Sequence, residues 1–264
     1  MVSFRLLLAA LTVLVVAPVV APVVSPVVAA SPPAPAGLAQ CQAPAAGSFV
    51  VLGSGQHRGE PTALLMQERW FPDGGIEGVR YLREGRRFSE DRYTGRVRPD
   101  AACWALVERQ GPAGTMAEQV ALDRRGRPRV SLVLAPTEVL SLRYVSQEPG
   151  SCSPALLDGL VTSQQQGQSW ADGRWQANAV VQREWWQAGE VRGLAVMNYA
   201  GSPDRVTYSG RLQLGSDCLG RMTQRDSKGI YYNYRVVVLG KGGGYIYLQT
   251  DPDDLTLGLL QHQR

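Results

Sequence analysis

The chain has 264 residues, of which 44% are hydrophobic, and 27 Lys and Arg stand against 23 Asp and Glu. This length is enough for two modest domains. The net charge of +4 is spread along the chain, without the concentrated basic face that nucleic-acid binding needs, so we expect no nucleic acid among the partners.

The first 39 residues have the parts of a secretory signal and a Pro/Ala-rich spacer. Arg5 precedes an uncharged run at residues 6–28, which ends in Ala29 and Ala30 and a proline-rich stretch. A basic start, an apolar core and small residues are typical of a cleaved signal peptide. An uncleaved membrane anchor is the alternative, since the run is long enough to span a bilayer. Three prolines between residues 18 and 26 weaken a continuous helix and favour cleavage.

The rest of the chain alternates extended segments with turn signals and shows no helical periodicity. The predicted strands of the first half are residues 48–53, 63–71, 75–83, 87–98, 103–109, 115–122, 129–134 and 139–145. Those of the second half are residues 160–164, 174–186, 191–199, 205–213, 218–223, 230–239, 245–250 and 255–261. Short strands at this spacing predict an all-β fold, either barrels or sandwiches.

The two halves are copies of one repeat. At an offset of 115 residues, eight identities fall within 37 positions. The pairs are Gln67 with Gln182, Trp70 with Trp185, Gly74 with Gly189, Gly78 with Gly193, Tyr93 with Tyr208, Gly95 with Gly210, Arg96 with Arg211, and Cys103 with Cys218. Later the offset becomes 116, and we assign the inserted residue to the turn opposite residues 124–127. The repeat predicts tandem domains at residues 41–150 and 151–264.

The motif around Tyr93 predicts which side chains face inward. Tyr93, Gly95 and Val97 alternate with polar neighbours, and the second copy repeats this pattern from Tyr208. We therefore expect this set inside, with the glycine marking a bend or the close approach of another group. Eight antiparallel strands with near-neighbour connections close most simply as an up-and-down barrel. We prefer two tandem antiparallel barrels of about eight strands each to two β-sandwiches.

Four cysteines fit an oxidising compartment. Cys41 and Cys152 open the two copies, while Cys103 and Cys218 occupy the same internal place. The repeat therefore predicts one disulfide in each domain, Cys41 with Cys103 and Cys152 with Cys218.

The order of motifs resembles a family of exported bacterial β-barrel proteins. The resemblance rests on Tyr-Ser/Thr-Gly followed by a cysteine in both copies, and on Thr250-Asp251-Pro252 before the last strand. Copy one departs from it with Ala102 before its cysteine. The family is largely uncharacterised and is similar to barrels of the calycin or allene-oxide-cyclase type. The resemblance implies an exported barrel in two copies and supplies no catalytic residues.

Common catalytic signatures are absent from the sequence. It has no Gly-x-Ser-x-Gly motif, and its only histidines are His57 and His262. No two cysteines are close enough for a zinc motif, and the proline of the acidic turn at 251–254 explains that turn without calcium. We expect no catalytic residue, no metal and no cofactor.

A ligand pocket inside the barrels is the remaining candidate site, because eight-stranded barrels are filled by side chains or hold one small ligand. We expect each repeated aromatic pair to place one ring inside and one outside, with each glutamine on the face of the second ring. The candidate pocket residues are Gln67, Trp70, Phe71, Tyr93, Gln182, Trp185, Trp186 and Tyr208.

These features favour an exported, non-catalytic two-barrel module that binds a small apolar ligand or an envelope protein. A cyclase- or isomerase-like enzyme that uses the barrel cavity is the alternative. We expect a monomer in the periplasm or outside the cell.

Export with cleavage makes a direct prediction. Protein isolated from its own host should begin at or near Ser31 or Gln40, as read by intact mass and amino-terminal sequencing. An intact Met1 on protein extracted without detergent would contradict cleavage.

Overall fold

A computed structural model describes residues 41–148, 150–240 and 243–262. The predicted signal peptide and spacer lie outside these residues. The described residues form sixteen strands and one short 3₁₀ helix, Pro154–Leu157. The strands are β1 Gly47–His57, β2 Glu60–Trp70, β3 Gly75–Glu84, β4 Arg87–Pro99, β5 Trp104–Gly111, β6 Gly114–Leu122, β7 Pro128–Val133, β8 Glu138–Gln147, β9 Gly159–Ala171, β10 Arg174–Gln187, β11 Glu190–Tyr199, β12 Ser202–Leu214, β13 Leu219–Asp226, β14 Tyr231–Val238, β15 Tyr245–Gln249 and β16 Asp254–His262.

The strands close into two antiparallel barrels, which confirms the predicted fold class. Strands β1–β8 form barrel 1 and β9–β16 form barrel 2, each with neighbours in chain order. The last strand pairs with the first in both, through β1–β8 and β9–β16. Closure pairs every strand on both sides, so neither barrel leaves a sheet edge free. Both barrels belong to one compact unit.

Alternating side chains give each barrel its interior. In β12, Val206, Tyr208 and Leu212 are buried in the core of barrel 2, while Thr207 and Ser209 are exposed. Period-2 alternation of this kind places apolar groups inside and polar groups in water. The inward face predicted from the Tyr-Ser/Thr-Gly motif is confirmed.

A glycine makes room for the tyrosine of this motif in each barrel. Gly78 lies opposite Tyr93, and Gly193 lies opposite Tyr208. A Cβ at Gly78 would stand 2.5 Å from the Tyr93 ring, and one at Gly193 would stand 2.3 Å from the Tyr208 ring. Real side chains do not approach this closely, so the repeated glycine is needed for the ring to lie flat against the wall.

The strand pairing corrects the predicted alignment of the copies. Glu68 lies opposite Gly78 and Glu184 lies opposite Gly193, so β2 and β10 match at an offset of 116 rather than 115. Trp70 therefore corresponds to Trp186, and not to Trp185. The sequence alignment was wrong here because one chance match of tryptophan and one of glutamine supported the other offset. A shift of one residue moves every side chain to the opposite face.

The later change of offset also lies elsewhere than expected. The turn after β5 runs from Gly111 to Gly114, whereas the turn after β13 runs from Asp226 to Ile230. The inserted residue is therefore in this turn of barrel 2. Its assignment opposite residues 124–127 was wrong.

Two disulfides join the predicted cysteines. Cys41 is bonded to Cys103, and Cys152 is bonded to Cys218. Each bond closes a loop within one barrel, of 62 and 66 residues respectively. Loops of this size are worth about 4 kcal/mol in the chain-entropy model.

An apolar layer joins the two barrels. On barrel 1 it is formed by the outer faces of β1, β2 and β3, and on barrel 2 by those of β14, β15 and β16. Its fully buried members are Val50, Ala63, Leu65, Val237, Ile246 and Leu248. Each large side chain buried here contributes roughly 1.5–3 kcal/mol.

Hydrogen bonds and an ion pair join the two barrels at the edge of this layer. The Arg83 guanidinium donates to the Pro252 carbonyl at 2.9 Å, and Arg235 forms an ion pair with Glu90 at 2.8 Å. Gln67 donates to the Asp217 carbonyl at 2.7 Å. The barrels are thus held by packing in the middle and by hydrogen bonds around it.

Candidate functional site

A buried carboxylate lies at the centre of barrel 1. Glu68 of β2 accepts hydrogen bonds from Trp70 Nε1 at 2.7 Å and from the Tyr93 hydroxyl at 2.8 Å. Arg109 of β5 donates to the same carboxylate through Nε at 2.8 Å and Nη2 at 3.0 Å. A buried charge is tolerated when its lone pairs are filled in this way.

Arg109 also holds a second buried carboxylate. Its Nη1 lies 2.5 Å from Glu118 Oε1 of β6, and Ser131 donates to the other oxygen at 2.6 Å. Tyr144 donates to Glu118 and accepts from Arg109 Nη2 at 2.9 Å. Glu68, Arg109 and Glu118 are each at most 2% exposed. We call this group the Glu-Arg-Glu network.

The network changes the acidity of its members. Burial lowers the pKa of Arg109, but the charges of Glu118 and Glu68 outweigh burial and hold that pKa well above its ordinary value. Burial raises the pKa of Tyr93, and the negative charge of Glu68 adds to this. Arg109 and Tyr93 therefore stay protonated and can act only as donors to the carboxylates.

Barrel 2 keeps the first carboxylate and loses the other two charges. Glu184 accepts from Trp186 Nε1 at 2.8 Å, from Tyr208 at 2.7 Å and from Tyr245 at 2.6 Å. The strand pairing places Gln224 at the position of Arg109 and Tyr234 at that of Glu118. Arginine and the second glutamate are therefore replaced together by neutral side chains, and only the first carboxylate of the network is kept in barrel 2.

No ion pair among the described residues includes Glu184, so its carboxyl group is held by neutral hydrogen-bond donors. Burial raises the pKa of Glu184, and the hydrogen bonds from Tyr245, Tyr208 and Trp186 oppose this without cancelling it. Folding therefore shifts the Glu184 carboxyl toward its protonated form, relative to the unfolded chain.

A cavity occupies the mouth of barrel 1, at the end where the β1–β2, β3–β4, β5–β6 and β7–β8 turns lie. Its volume is about 330 Å³. Leu64, Leu82, Met116 and Leu140 form its apolar wall. We call it the mouth cavity.

Charged pairs surround the mouth cavity. Arg80 makes two hydrogen bonds to Asp91, at 3.0 and 2.7 Å, and both side chains are largely buried. Nearer the rim, His57 Nδ1 lies 3.0 Å from Glu84, which also pairs with Arg87 at 3.1 Å. The cavity thus combines an apolar wall with a rim of opposite charges, an arrangement common in sites for small molecules.

The matching end of barrel 2 contains a polar network. Asn178 donates to Ser169 at 2.7 Å, and Ser169 donates to Asp254 at 2.5 Å. Burial raises the pKa of Asp254. Asn178 stands at the position of Thr62, and Asp254 at that of Glu138. The two barrels therefore differ at this end as well.

The candidate pocket residues from the sequence fall in several places. Trp70 and Tyr93 contact Glu68, and Trp186 and Tyr208 contact Glu184, so these four residues form the repeated interior unit.

The other four candidates are divided. Gln182 is inside barrel 2, where it accepts from Ser163 at 3.0 Å. Gln67 points outward into a groove between the barrels, Trp185 is 57% exposed, and Phe71 follows β2 with Arg69 over its ring. The expectation that Gln67 and Gln182 occupy equivalent faces was wrong, because of the offset in β10.

None of the eight candidates lines the mouth cavity. Sequence reasoning missed its wall residues and the Glu-Arg-Glu network, since the candidates were taken only from the aromatic and glutamine positions of the repeat. One signal was available for the network: both copies contain glutamate two residues before the buried tryptophan, as Glu68 and Trp70 and as Glu184 and Trp186. Residues two apart share a face of a strand.

No family model matches the chain, and neither the curated proteins nor the solved structures give a significant match. In the part of the chain that the structure describes, no group of three or more His, Cys, Asp or Glu is arranged to hold a metal ion.

The raised pKa of Glu184 predicts a pH dependence of stability. We expect the free energy of unfolding of the parent, minus that of Glu184→Gln, to be largest below the ordinary Glu pKa of 4.5 and to fall as pH rises above it. Folding favours the protonated form, so stability is lost as the carboxyl ionises, by at most about 1.4 kcal/mol per pH unit.

Urea unfolding at several pH values measures this difference. Glu190→Gln, an exposed change in the same barrel, is the control and should show no such fall. A difference that grows with pH would contradict the assignment.

Proposed function

We propose that the protein is a binding module whose first barrel takes a small, largely apolar molecule into the mouth cavity. The observation that supports this is the combination of an apolar wall with a charged rim in a space of about 330 Å³. This volume lies at the lower end of the range of about 300–1,000 Å³ for ligand sites.

The Glu-Arg-Glu network sets the depth of the site. Arg109 and its two carboxylates cross the barrel interior below Leu64 and Met116, so a ligand can fill the mouth but cannot pass through the barrel. Each methylene of ligand that leaves water for this wall contributes about 0.8 kcal/mol. A short chain or a single ring with a polar end at the rim fits this geometry best.

Binding accounts for the interior better than the cyclase- or isomerase-like alternative. Such catalysis needs polar groups that are free to reach the ligand. Glu68 and Glu118 are sealed from solvent, and each accepts hydrogen bonds on both oxygens. We also favour a small ligand over an envelope protein, because the distinguishing feature of barrel 1 is concave.

The proposal includes export from the cytoplasm. The two disulfides fit an oxidising compartment. Among the described residues, no helix is long and apolar enough to cross a membrane.

Binding can be tested at the site itself with methyl-labelled methionine. On titration with octanoate or hexanol we expect the ¹³C methyl signal of Met116, in the cavity wall, to shift and saturate. The signal of Met222, in the core of barrel 2, should stay in place. Leu140→Trp should weaken binding about tenfold or more, because the larger ring occupies the space of the ligand.

The matched control is Thr207→Trp, which adds the same ring at an exposed position of barrel 2. Equal binding by the two variants, or no Met116 shift in the parent with either compound, would count against the proposed site.

A further inference from the structure

Large apolar side chains are exposed on both barrels of the described chain. Those on barrel 1 are Trp104, Val130, Leu132, Leu134 and Val139, and those on barrel 2 are Val181, Trp185, Val196, Ile230 and Tyr231. Single exposed apolar residues need no explanation, but contiguous patches mark interaction sites. The internal repeat allows each position to be compared with its counterpart in the other barrel.

The barrel 1 surface corresponds to the part of barrel 2 that is buried in the apolar layer. Leu132 pairs with Ser141 as Leu248 pairs with Leu257, which fixes the offset at 116 for β7 and β15. Exposed Val130 and Leu132 therefore stand at the positions of Ile246 and Leu248, which are fully buried against barrel 1.

Two further exposed residues follow the same rule. Val139, 71% exposed, corresponds to Leu255, 4% exposed, and Trp104 corresponds to Leu219, which packs against the layer. We call Trp104, Val130, Leu132 and Val139 the head face.

Two of the exposed residues of barrel 2 stand at positions that barrel 1 buries in the layer. Val181 stands at the position of Leu65, and Val196 at that of Tyr81. Leu65 and Tyr81 are at most 2% exposed, whereas Val181 and Val196 are more than half exposed. Half-buried Leu194 lies on the same face of β11 as Val196 and stands at the position of Val79 in the layer. We call Val181, Leu194 and Val196 the tail face.

We infer that copies of this chain associate head to tail, with the head face of one copy packed on the tail face of the next. The contact repeats, between chains, the packing of barrel 2 on barrel 1 within the chain. Such an interface is heterologous, since the two faces differ, and it produces linear or ring-shaped assemblies rather than a symmetric dimer.

Two observations favour a second copy as the occupant. Each face has its complement on the same molecule, because the head face matches the barrel 2 side of the layer and the tail face matches the barrel 1 side. Within the chain these two sides already pack on each other. The head face is also continuous with the layer: a groove of about 580 Å³ runs from Trp104, Val130 and Leu132 to Leu52 and Leu257 at the layer's edge.

The association is weaker than the contact within the chain. The rim pairs are not reproduced, because Asn198, Arg205 and Gln119 stand at the positions of Arg83, Glu90 and Arg235. In addition, Arg143 of barrel 1 replaces Leu259 of barrel 2. The contact within the chain also has the advantage of a short connection between the barrels. The inference therefore replaces the monomer expected from sequence with concentration-dependent self-association.

Sedimentation of the oxidised protein from about 10 µM to 1 mM, a range that covers weak interfaces, tests this. The mean mass of the parent should rise with concentration. Val130→Lys/Leu132→Lys, on the head face, and Val181→Lys/Val196→Lys, on the tail face, should each stay monomeric. Ile230→Lys/Tyr231→Lys, an exposed pair at the β13–β14 turn and not on the strands of either face, should behave as the parent.

A mixture of the head and tail variants separates this arrangement from others. Each variant retains one intact face, so an equimolar mixture should form dimers and nothing larger. A symmetric contact between two head faces would instead leave the tail variant dimeric and overturn the inference. A parent that stays monomeric throughout, a monomeric mixture, or equal loss in the Ile230/Tyr231 control would also overturn it. Near-ultraviolet circular dichroism verifies that each variant folds. If a double variant does not fold, the single change Leu132→Lys or Val181→Lys takes its place.

Discussion

One buried carboxylate in each barrel constrains the rest of the interior. Glu68 and Glu184 stand at the same place, each bonded to the indole of a tryptophan two residues later and to the hydroxyl of the motif tyrosine. A buried charge without partners would cost several kcal/mol. The tryptophan and tyrosine are therefore required at their positions by hydrogen bonding as well as by packing, and the glycine opposite the tyrosine follows from the space that its ring needs.

The copies satisfy this constraint differently. Barrel 1 adds Arg109 and Glu118, and these charges extend the network across its interior. Barrel 2 has Gln224 and Tyr234 instead, so Glu184 relies on neutral donors and its pKa is raised by burial. The copies also differ at the mouth, where barrel 1 has an apolar cavity and barrel 2 has a polar network around Asp254. This divergence of the interior is the reason for proposing a ligand site in barrel 1.

The architecture could be predicted from sequence because turn spacing, the eight identities and the cysteine positions agree on two barrels, each with a disulfide. Side-chain faces were harder. The match of Trp70 with Trp185 rather than Trp186 paired side chains that lie on opposite faces of β2 and β10, since side chains alternate along a strand with a period of two. Arg109 and Glu118 could not be placed inside from sequence, because the pattern of a solvated strand does not differ from that of an internal ion pair. The apolar layer was equally hidden: Val50, Leu65 and Ile246 give both faces of their strands an apolar character, which only the packing of the barrels explains.

The central claim is that Arg109 is required because Glu118 is present. Urea unfolding of the oxidised protein at neutral pH, applied to Arg109→Gln, Glu118→Gln and the double variant, measures this coupling. We predict that Arg109→Gln alone costs about 3–5 kcal/mol, because two buried carboxylates lose their cation. The double variant, which leaves one carboxylate with neutral donors as in barrel 2, should recover much of that loss. A double variant no more stable than Arg109→Gln alone would contradict the account.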